Sequence, residues 1–341
     1  MSLTNRQWTL KERPTGLVGR EHFTWGEQAA PEAGAGQMLL RVLYLSCDPT
    51  QRGWLNEGDN YIEPVKIGEP MKAGGVAQVV ASNMDGYAPG DFVQGTFGWE
   101  DYVVTDGQGP FPIHKVSGDV PLTYNFSAWG VTSLTAYFGL LDVGALKTGD
   151  VVLVSGAAGA TGAAAGQIAR IKGAKKVVGI AGGPDKCRVL TEQLGFDAAI
   201  DYKSEDIAAR VAELCPDGVD VYYDNVGGPA LDAALLNLAM HGRIVICGGI
   251  SSGYSSWEVE DGPKHYLRLI LNSGRMEGFL VLNYMDRFAE AAQQLGAWVQ
   301  SGEFKVLEHV VEGLENAPDA LQGLFTGKNV GKTIIKVADP A

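Results

Sequence analysis

The sequence predicts an α/β protein of two units, a β-rich N-terminal unit followed by a doubly wound parallel sheet. Three observations carry this. The chain has 341 residues, more than one hydrophobic core ordinarily fills. Residues 1 to about 128 read as short strands broken by turns, whereas from about 129 strand and helix alternate. Where the alternation begins, "VVLVSGAAGATGAAAGQIA", Val151 to Ala169, runs from an apolar strand through spaced glycines into a helix.

In the N-terminal unit, "QMLLRVLYLSCDP" and "GGVAQVVASNMDGYAPGDFVQGTFGWEDYVVT" place β-branched and aromatic runs between Gly, Pro and Asp, the texture of strands joined by turns. The second unit opens with the strand "DVVLVSG" and the helix "ATGAAAGQIARIKG", which stops at Gly173. The strand "KKVVGIAGG", the helix "PDKCRVLTEQLG", the short strand "DAAIDY" and the helix "SEDIAARVAELC" follow. Next come the strand "GVDVYYDNVGG", a helix over "PALDAALLNLAMHG" and the strand "RIVICGGIS". The unbroken apolar run Val151 to Val154 marks a strand covered on both faces. The tail reads as the helix "DRFAEAAQQLGAWVQSG", then strand, helix and strand over "LEHVVEGLENAPDALQGLFTGKNVGKTIIKV". The last strand is expected to return to the first unit.

Composition narrows the function. Apolar residues make up 45% and charged residues 20%, the balance of a soluble globular chain, and no run approaches the ~20 apolar residues of a spanning helix. A formal net charge of -13 without a dense Lys/Arg cluster argues against nucleic acid and anionic membranes as partners. The opening "MSLTNRQWTLKERP" lacks the apolar core of a secretion signal, so the expected location is cytoplasmic. Cys47, Cys187, Cys215 and Cys247 are far apart and form no C-x-x-C, which reads as reduced thiols.

The glycine spacing is G-x-x-G-x-x-G, through Gly156, Gly159 and Gly162. A dinucleotide turn needs one glycine to turn the chain, one to admit the pyrophosphate and one to pack helix on strand. The helix N-terminus then offers free N–H groups to phosphate. Ala158, Ala160 and Thr161 are small enough to stay clear. A tight structural turn is the plainer alternative, but strand before and helix after favour a nucleotide, and no G-K-[ST] follows to make a P-loop. An NAD site carries an acid at the end of the second strand. Here Ala181, Gly182 and Gly183 stand in its place, and Asp185 reads as a helix-start residue. Lys186 is placed to pair with a 2′-phosphate, unless it is only a solvated lysine, so the cofactor expected is NADP(H).

"GAAGATGAAAGQIARIKGAKKVVGIAGG", "LGFDAAIDYKSED", "DGVDVYYDNVGG", "GRIVICGGIS", "MEGFLVLNYMDRF" and "GKNVGKTIIKV" together closely resemble the zinc-independent medium-chain dehydrogenase/reductases. Within them the chain is similar to the prostaglandin reductase / leukotriene B4 12-hydroxydehydrogenase group, with its alkenal and curcumin reductases. "DPTQRGW", "YIEPVKIGEPMKAGGVAQVV" and "SLTAYFGLLDVG" extend the resemblance over nearly the whole chain. It implies a GroES-like β-rich catalytic domain, 1-128 completed by 306-341, and a Rossmann NADP-binding domain, 129-305. It implies NADPH-dependent reduction of the carbon–carbon double bond of α,β-unsaturated aldehydes and ketones, and a homodimer paired through sheet edges. It also implies a site. Gly159, Ala160, Thr161 and Gly162 would face the pyrophosphate, Lys186 and Tyr202 would flank the 2′-phosphate, and Asn225 would lie near the ribose. Cys247, Gly248, Gly249, Ile250, Ser251 and Ser252 would line the nicotinamide side. Phe279, Leu280 and Val281 would lie against the ring, and Asn329 would reach in from the tail. Plainer readings stand beside these: Cys247 as a small core residue, Asn225 with Gly227 and Gly228 as a strand end, Asn329 as a turn residue.

Zinc-dependent relatives hold their catalytic ion with a Cys, a His or Glu, and a further Cys or Asp. Cys47 falls near the first position, but "IGEPMKAGG" supplies Glu69 and no His, and a four-cysteine lobe is missing. One Cys and one Glu do not make a three-ligand site, so no metal is expected.

Reduction of an enone puts hydride on the β-carbon and negative charge on the carbonyl oxygen, and the α-carbon then takes a proton. Two tyrosines are candidates for the donor. Tyr254, in "GGISSGYSS", resembles the tyrosine of the family's C-G-x-I-S-x-Y pattern with one residue inserted, and Tyr61, in "DNYIEPV", resembles a tyrosine at the substrate mouth. Either also suits a pocket wall. Thr50 and Gln51 before Arg52, and Trp129 before Gly130, depart from the family and are expected to reshape the pocket. Arg52 would meet an anionic substrate group or form a salt bridge. An enone or enal is the expected small-molecule partner. The alternatives are an NADPH quinone oxidoreductase and an NADPH-binding protein with little turnover.

Overall fold

A computed structural model of the chain describes residues 3–58, 60–108, 111–256 and 262–341. Near the N-terminus β1 (Thr4–Leu10) and β2 (Phe23–Ala29) pair antiparallel. They are followed by β3 (Met38–Ser46), β4 (Lys72–Ser82), β5 (Phe92–Gly98), β6 (Tyr102–Thr105) and β7 (His114–Val116). The alternating region supplies β8 (Val151–Ser155), β9 (Lys176–Ala181), β10 (Ala198–Asp201), β11 (Val219–Asp224), β12 (Leu238–Ile246) and β13 (Arg275–Gly278). The tail adds β14 (Glu308–Glu312) and β15 (Lys332–Lys336).

One sheet runs β14-β15-β3-β4-β5-β7, with β6 also on β3. The last strand therefore lies beside β3, antiparallel, with Ile334 opposite Ser46. Its core gathers Trp8, Leu40, Leu45, Phe97 and Trp99, with Leu321 and Leu324 from the tail helix Ala317–Phe325. The second sheet is parallel, in the order β10-β9-β8-β11-β12-β13. Numbered within the sheet, that is the 3-2-1-4-5-6 order of a Rossmann fold, whose strand order reverses between β8 and β11 and opens a crevice there. All of β8 is buried. The helix Ala160–Ile171 lies close to it because its inner residues are small: a Cβ on Gly166 would sit 1.9 Å from the Phe196 ring.

Two elements differ from the sequence reading. The helix expected through "PALDAALLNLAMHG" ends at Leu236, and Leu238 already belongs to β12. Asn237 stops it, donating its side-chain amide to Ala233 O at 2.8 Å and Ala208 O at 3.2 Å. The Ala/Leu run favours helix locally, and pairing with β11 overrides it. His241 takes a φ of 60° within β12, where the register to β11 shifts. Strand β13 was not expected, because "RMEG" at an exposed edge carries no apolar alternation.

Candidate functional site

Strands β8, β11, β12 and β13 end at Ser155, Asp224, Ile246 and Gly278. The segments singled out in the sequence start at the next residues: Gly156, Asn225, Cys247 and Phe279. Adjacent parallel strands thus deliver four loops to one edge of the sheet, at the crevice where α/β folds bind ligands.

The glycine turn divides its work as a dinucleotide turn does. Gly156 takes φ 58°, a left-handed backbone. A Cβ on Gly162 would sit 2.4 Å from Gly156 O and 2.7 Å from Ala157 Cα, so only glycine lets the helix approach. Gly159 caps the helix with more room, 3.2 Å from Gly156 O. Among the described residues the N–H groups of Ala160, Thr161 and Gly162 have no backbone acceptor, and they lie at the positive helix end. The returning tail docks on this turn, with Gly331 N–H donating to Ala158 O at 2.8 Å. Asn329 bonds within the tail, its side-chain amide to Gly331 O at 3.3 Å.

At the end of β9, Gly183 faces open space. Gly183 has φ 100°, and its N–H is held by Asp201 at 2.7 Å. The Tyr202 ring covers Gly182 so closely that a Cβ there would meet it at 2.8 Å. Asp185 lies in the first turn of the next helix and pairs with Arg188, while Gly183 caps that helix. Lys186 is half-buried and has no ion-pair or hydrogen-bond partner among the described residues. Burial, with Lys203 nearby, pulls its pKa down. An unpaired, partly desolvated cation beside a second lysine is poised for a dianion.

Asp224, which sequence reasoning missed, anchors the neighbouring loops. It is 1% exposed. Its Oδ1 accepts from Ser155 Oγ at 2.9 Å, Tyr222 Oη at 2.8 Å, Val226 N at 3.0 Å and Gly227 N at 2.9 Å. Its Oδ2 has no partner among the described residues. The one signal in the sequence is a turn-forming Asp at the end of an apolar strand, in "YYDNVGG". Asn225 is tied to Ser155 by its N–H (2.9 Å) and its side-chain amide (2.7 Å). The next loop is zipped alongside: Cys247 N and Gly248 N donate to Asp224 O, Ile250 N to Asn225 O and Ser251 N to Val226 O. Ser251 Oγ also donates to Val226 O, and Ser252 Oγ to Gly249 O. Phe279 packs on Gly139 and edge-on to Tyr284 at 6.4 Å, Leu280 is half-buried and Val281 is buried. The Cys247 thiol bonds Tyr223, and burial pushes it up to about 12, so it stays protonated and unreactive near neutral pH.

Two tyrosines stand over these loops. Tyr254 has φ 52°, and its Oη accepts the Gly249 N–H at 3.0 Å. Burial pushes its phenol up to about 12. Its carbonyl accepts from Asn56 Nδ2 at 3.0 Å. Tyr61 is 37% exposed, and its Oη accepts from Trp54 Nε1 at 3.1 Å and bonds the Thr50 hydroxyl. Burial raises its pKa as well. Of the residues expected to reshape the pocket, Thr50 bonds a candidate site residue, Tyr61. Gln51 is buried between Asp48 N and Lys72 O. Trp129 packs on Tyr124 and Gly296. Arg52 is 1% exposed and bonds Pro14 O, Gly16 O and Asn56, so it serves neither expected role.

Cys47 lies in the core beside the Lys332–Asp48 pair, whereas Glu69 is half-buried and pairs with Lys66. Among the described residues no three His, Cys, Asp or Glu side chains gather as a metal-ligand group.

Comparison with known proteins agrees with this arrangement. Residues 6–113 match the family described as the N-terminal domain of oxidoreductase, and residues 160–297 match that described as zinc-binding dehydrogenase. The chain is 41% identical to the NADPH-dependent curcumin reductase of Escherichia coli, over 98% of this chain and 97% of that one. It is 40% identical to the 2-alkenal reductase (NADP(+)-dependent) of Nicotiana tabacum, over 98% of each. The crystal structure of CurA from Vibrio vulnificus in complex with NADPH superposes with a TM-score of 0.91 at 39% identity, covering 98% of this chain and 100% of that one. The chain belongs to the zinc-independent medium-chain dehydrogenase/reductases, in the branch of NADP-dependent oxidoreductases that holds the alkenal, curcumin and prostaglandin reductases.

Proposed function

We propose that this NADP-dependent oxidoreductase reduces the carbon–carbon double bond of α,β-unsaturated aldehydes and ketones at the cleft between its two sheets. The observation that carries the reading is the Tyr254 phenol, a half-buried donor on the loop that follows β12.

The chain fits the cofactor on its own geometry. Gly156 and Gly159 leave a cradle that larger residues would obstruct, and Ala160, Thr161 and Gly162 present unpartnered N–H groups for the pyrophosphate. Lys186 and Tyr202 would hold the 2′-phosphate and Asn225 the ribose, and Asn329 would contribute from the tail. Residues 247 to 252 and 279 to 281 hold the nicotinamide end. NADPH, when bound, supplies the hydride.

The protein's own part is charge and proton control. Tyr254 Oη accepts the Gly249 N–H, which leaves its O–H available to donate to substrate. With its pKa raised, the phenol keeps its proton at neutral pH and acts as a hydrogen-bond donor to the oxygen on which charge develops. The same O–H, or a water it orients, delivers the proton to the α-carbon. Tyr61, already engaged by Trp54 and Thr50, serves as a wall at the mouth.

We assign residues 1–128 and 306–341 to the catalytic domain and 129–305 to the cofactor domain. We also propose a homodimer through β13, whose residues are all exposed at the sheet edge. Ile270 (74% exposed) and Leu271 (66%) flank that edge. The four unpaired cysteines suit a reducing compartment, and we place the protein in the cytoplasm. The test is NADPH consumption with a medium-chain 2-alkenal and, in parallel, a quinone. A saturated aldehyde product supports the reading. Turnover of the quinone alone overturns it.

A further inference from the structure

We propose that Asn56 is a positioning residue that holds Tyr254 in its donating place from across the cleft. This rests on the reading of Tyr254 as the donor. Asn56 follows the helical turn Pro49–Leu55 beside the β-rich sheet, and Tyr254 lies 198 residues later in the loop after β12. Their hydrogen bond, Asn56 Nδ2 to Tyr254 O at 3.0 Å, therefore joins the two halves of the cleft.

The direction of the amide is fixed by chemistry. Asn56 Oδ1 accepts from the Arg52 guanidinium, which carries only donors. Nδ2 is then the end that faces the Tyr254 carbonyl. Arg52 is itself immobilised: it is buried, and it also donates to Gly16 O at 3.0 Å and Pro14 O at 2.6 Å. The far end of the bond needs such a support. Tyr254 adopts φ 52°, a conformation that bulky L-residues rarely take and that neighbouring contacts must impose. Gly249 N–H fixes the phenol oxygen, and Asn56 fixes the backbone that carries the ring. Without the second hold, residue 254 is free to leave the left-handed region, and the O–H leaves its place over the cleft.

Asn56→Asp separates the two ends of the amide. It keeps an acceptor for Arg52 but offers only oxygens to the Tyr254 carbonyl. Steady-state kinetics with NADPH and a 2-alkenal, for Asn56→Asp, Tyr254→Phe and the double variant, give the readout. NADPH affinity is measured by fluorescence titration. The expected result is a fall in kcat of about tenfold, the scale of one lost hydrogen bond, with KM and the NADPH Kd unchanged within about twofold. The double variant should be no slower than Tyr254→Phe, because Asn56 acts through that ring. Asn56→Ala, which removes both ends, should show the same split and serves if Asn56→Asp does not fold. A wild-type kcat for the foldable Asn56 variant, or the full loss repeated in the Tyr254→Phe background, overturns the inference alone. A wild-type kcat for Tyr254→Phe itself overturns the donor assignment and the inference with it.

Discussion

Gly162→Ala adds one methyl group at the tightest point of the glycine turn. The new Cβ would lie 2.4 Å from Gly156 O, 2.8 Å from Gly156 C and 2.7 Å from Ala157 Cα. All three are backbone atoms, so no side chain can swing aside. To regain ordinary contact the helix Ala160–Ile171 must withdraw from the turn by about 1 Å. Overpacking of this kind costs about 1–3 kcal/mol, and each kcal/mol lowers Tm by roughly 2–4 °C in a domain of this size. The same shift moves the free N–H groups of Ala160 and Thr161 away from a bound pyrophosphate, so NADPH Kd should rise by about tenfold or more. Gly159→Ala is the control. Its Cβ would sit 3.2 Å from Gly156 O, a tight contact but a far smaller conflict, so Tm should fall less than in Gly162→Ala while NADPH binding weakens. Thermal melts and fluorescence titration with NADPH read both quantities. A Gly162→Ala protein with unchanged Tm and unchanged Kd would refute the reasoning.

Lys186→Ala should lower kcat/KM for NADPH by about 10- to 100-fold, the range for a lost charge-assisted hydrogen bond, while NADH turnover changes little. An equal loss with both cofactors would remove Lys186 from the 2′-phosphate. The Tyr254 phenol, pushed up to about 12, loses its proton only as pH rises toward that value. A kcat profile from pH 6 upward should therefore show no alkaline limb from this group below about pH 10, and a limb near 8 that disappears in Tyr254→Phe would contradict the assignment. Ile270→Glu places a charge beside the exposed edge of β13. If the proposed dimer forms through this edge, sedimentation should report a dimer for the unaltered protein and a monomer for the variant, and a variant that stays dimeric would move the interface elsewhere.

What the sequence showed, and what it hid, follows from the range of each interaction. The glycine turn was legible because its signals are consecutive: a buried strand at 151 to 155, spaced glycines, then small helical residues. The break between Leu236 and Leu238 was not, because β12 gains its conformation from β11 against the preference of its own Ala and Leu residues. Strand β13 lacked an apolar pattern because both of its faces are exposed. The role of Asp224 depends on Ser155, 69 residues away, and spacing along the chain carries no trace of that pairing. Arg52 looked like a charge in search of a carboxylate. Its partners are two backbone carbonyls and an amide, and a carbonyl leaves no signature in residue identity.

The most direct measurement follows the hydride. The protein is supplied with NADPH deuterated at the transferring carbon and a 2-alkenal in ordinary water, and the product is read by NMR. Deuterium at the β-carbon of a saturated aldehyde, with solvent hydrogen at the α-carbon, is the predicted result. Deuterium on the carbonyl carbon of an unsaturated alcohol would contradict double-bond reduction and, with it, the donor role of Tyr254.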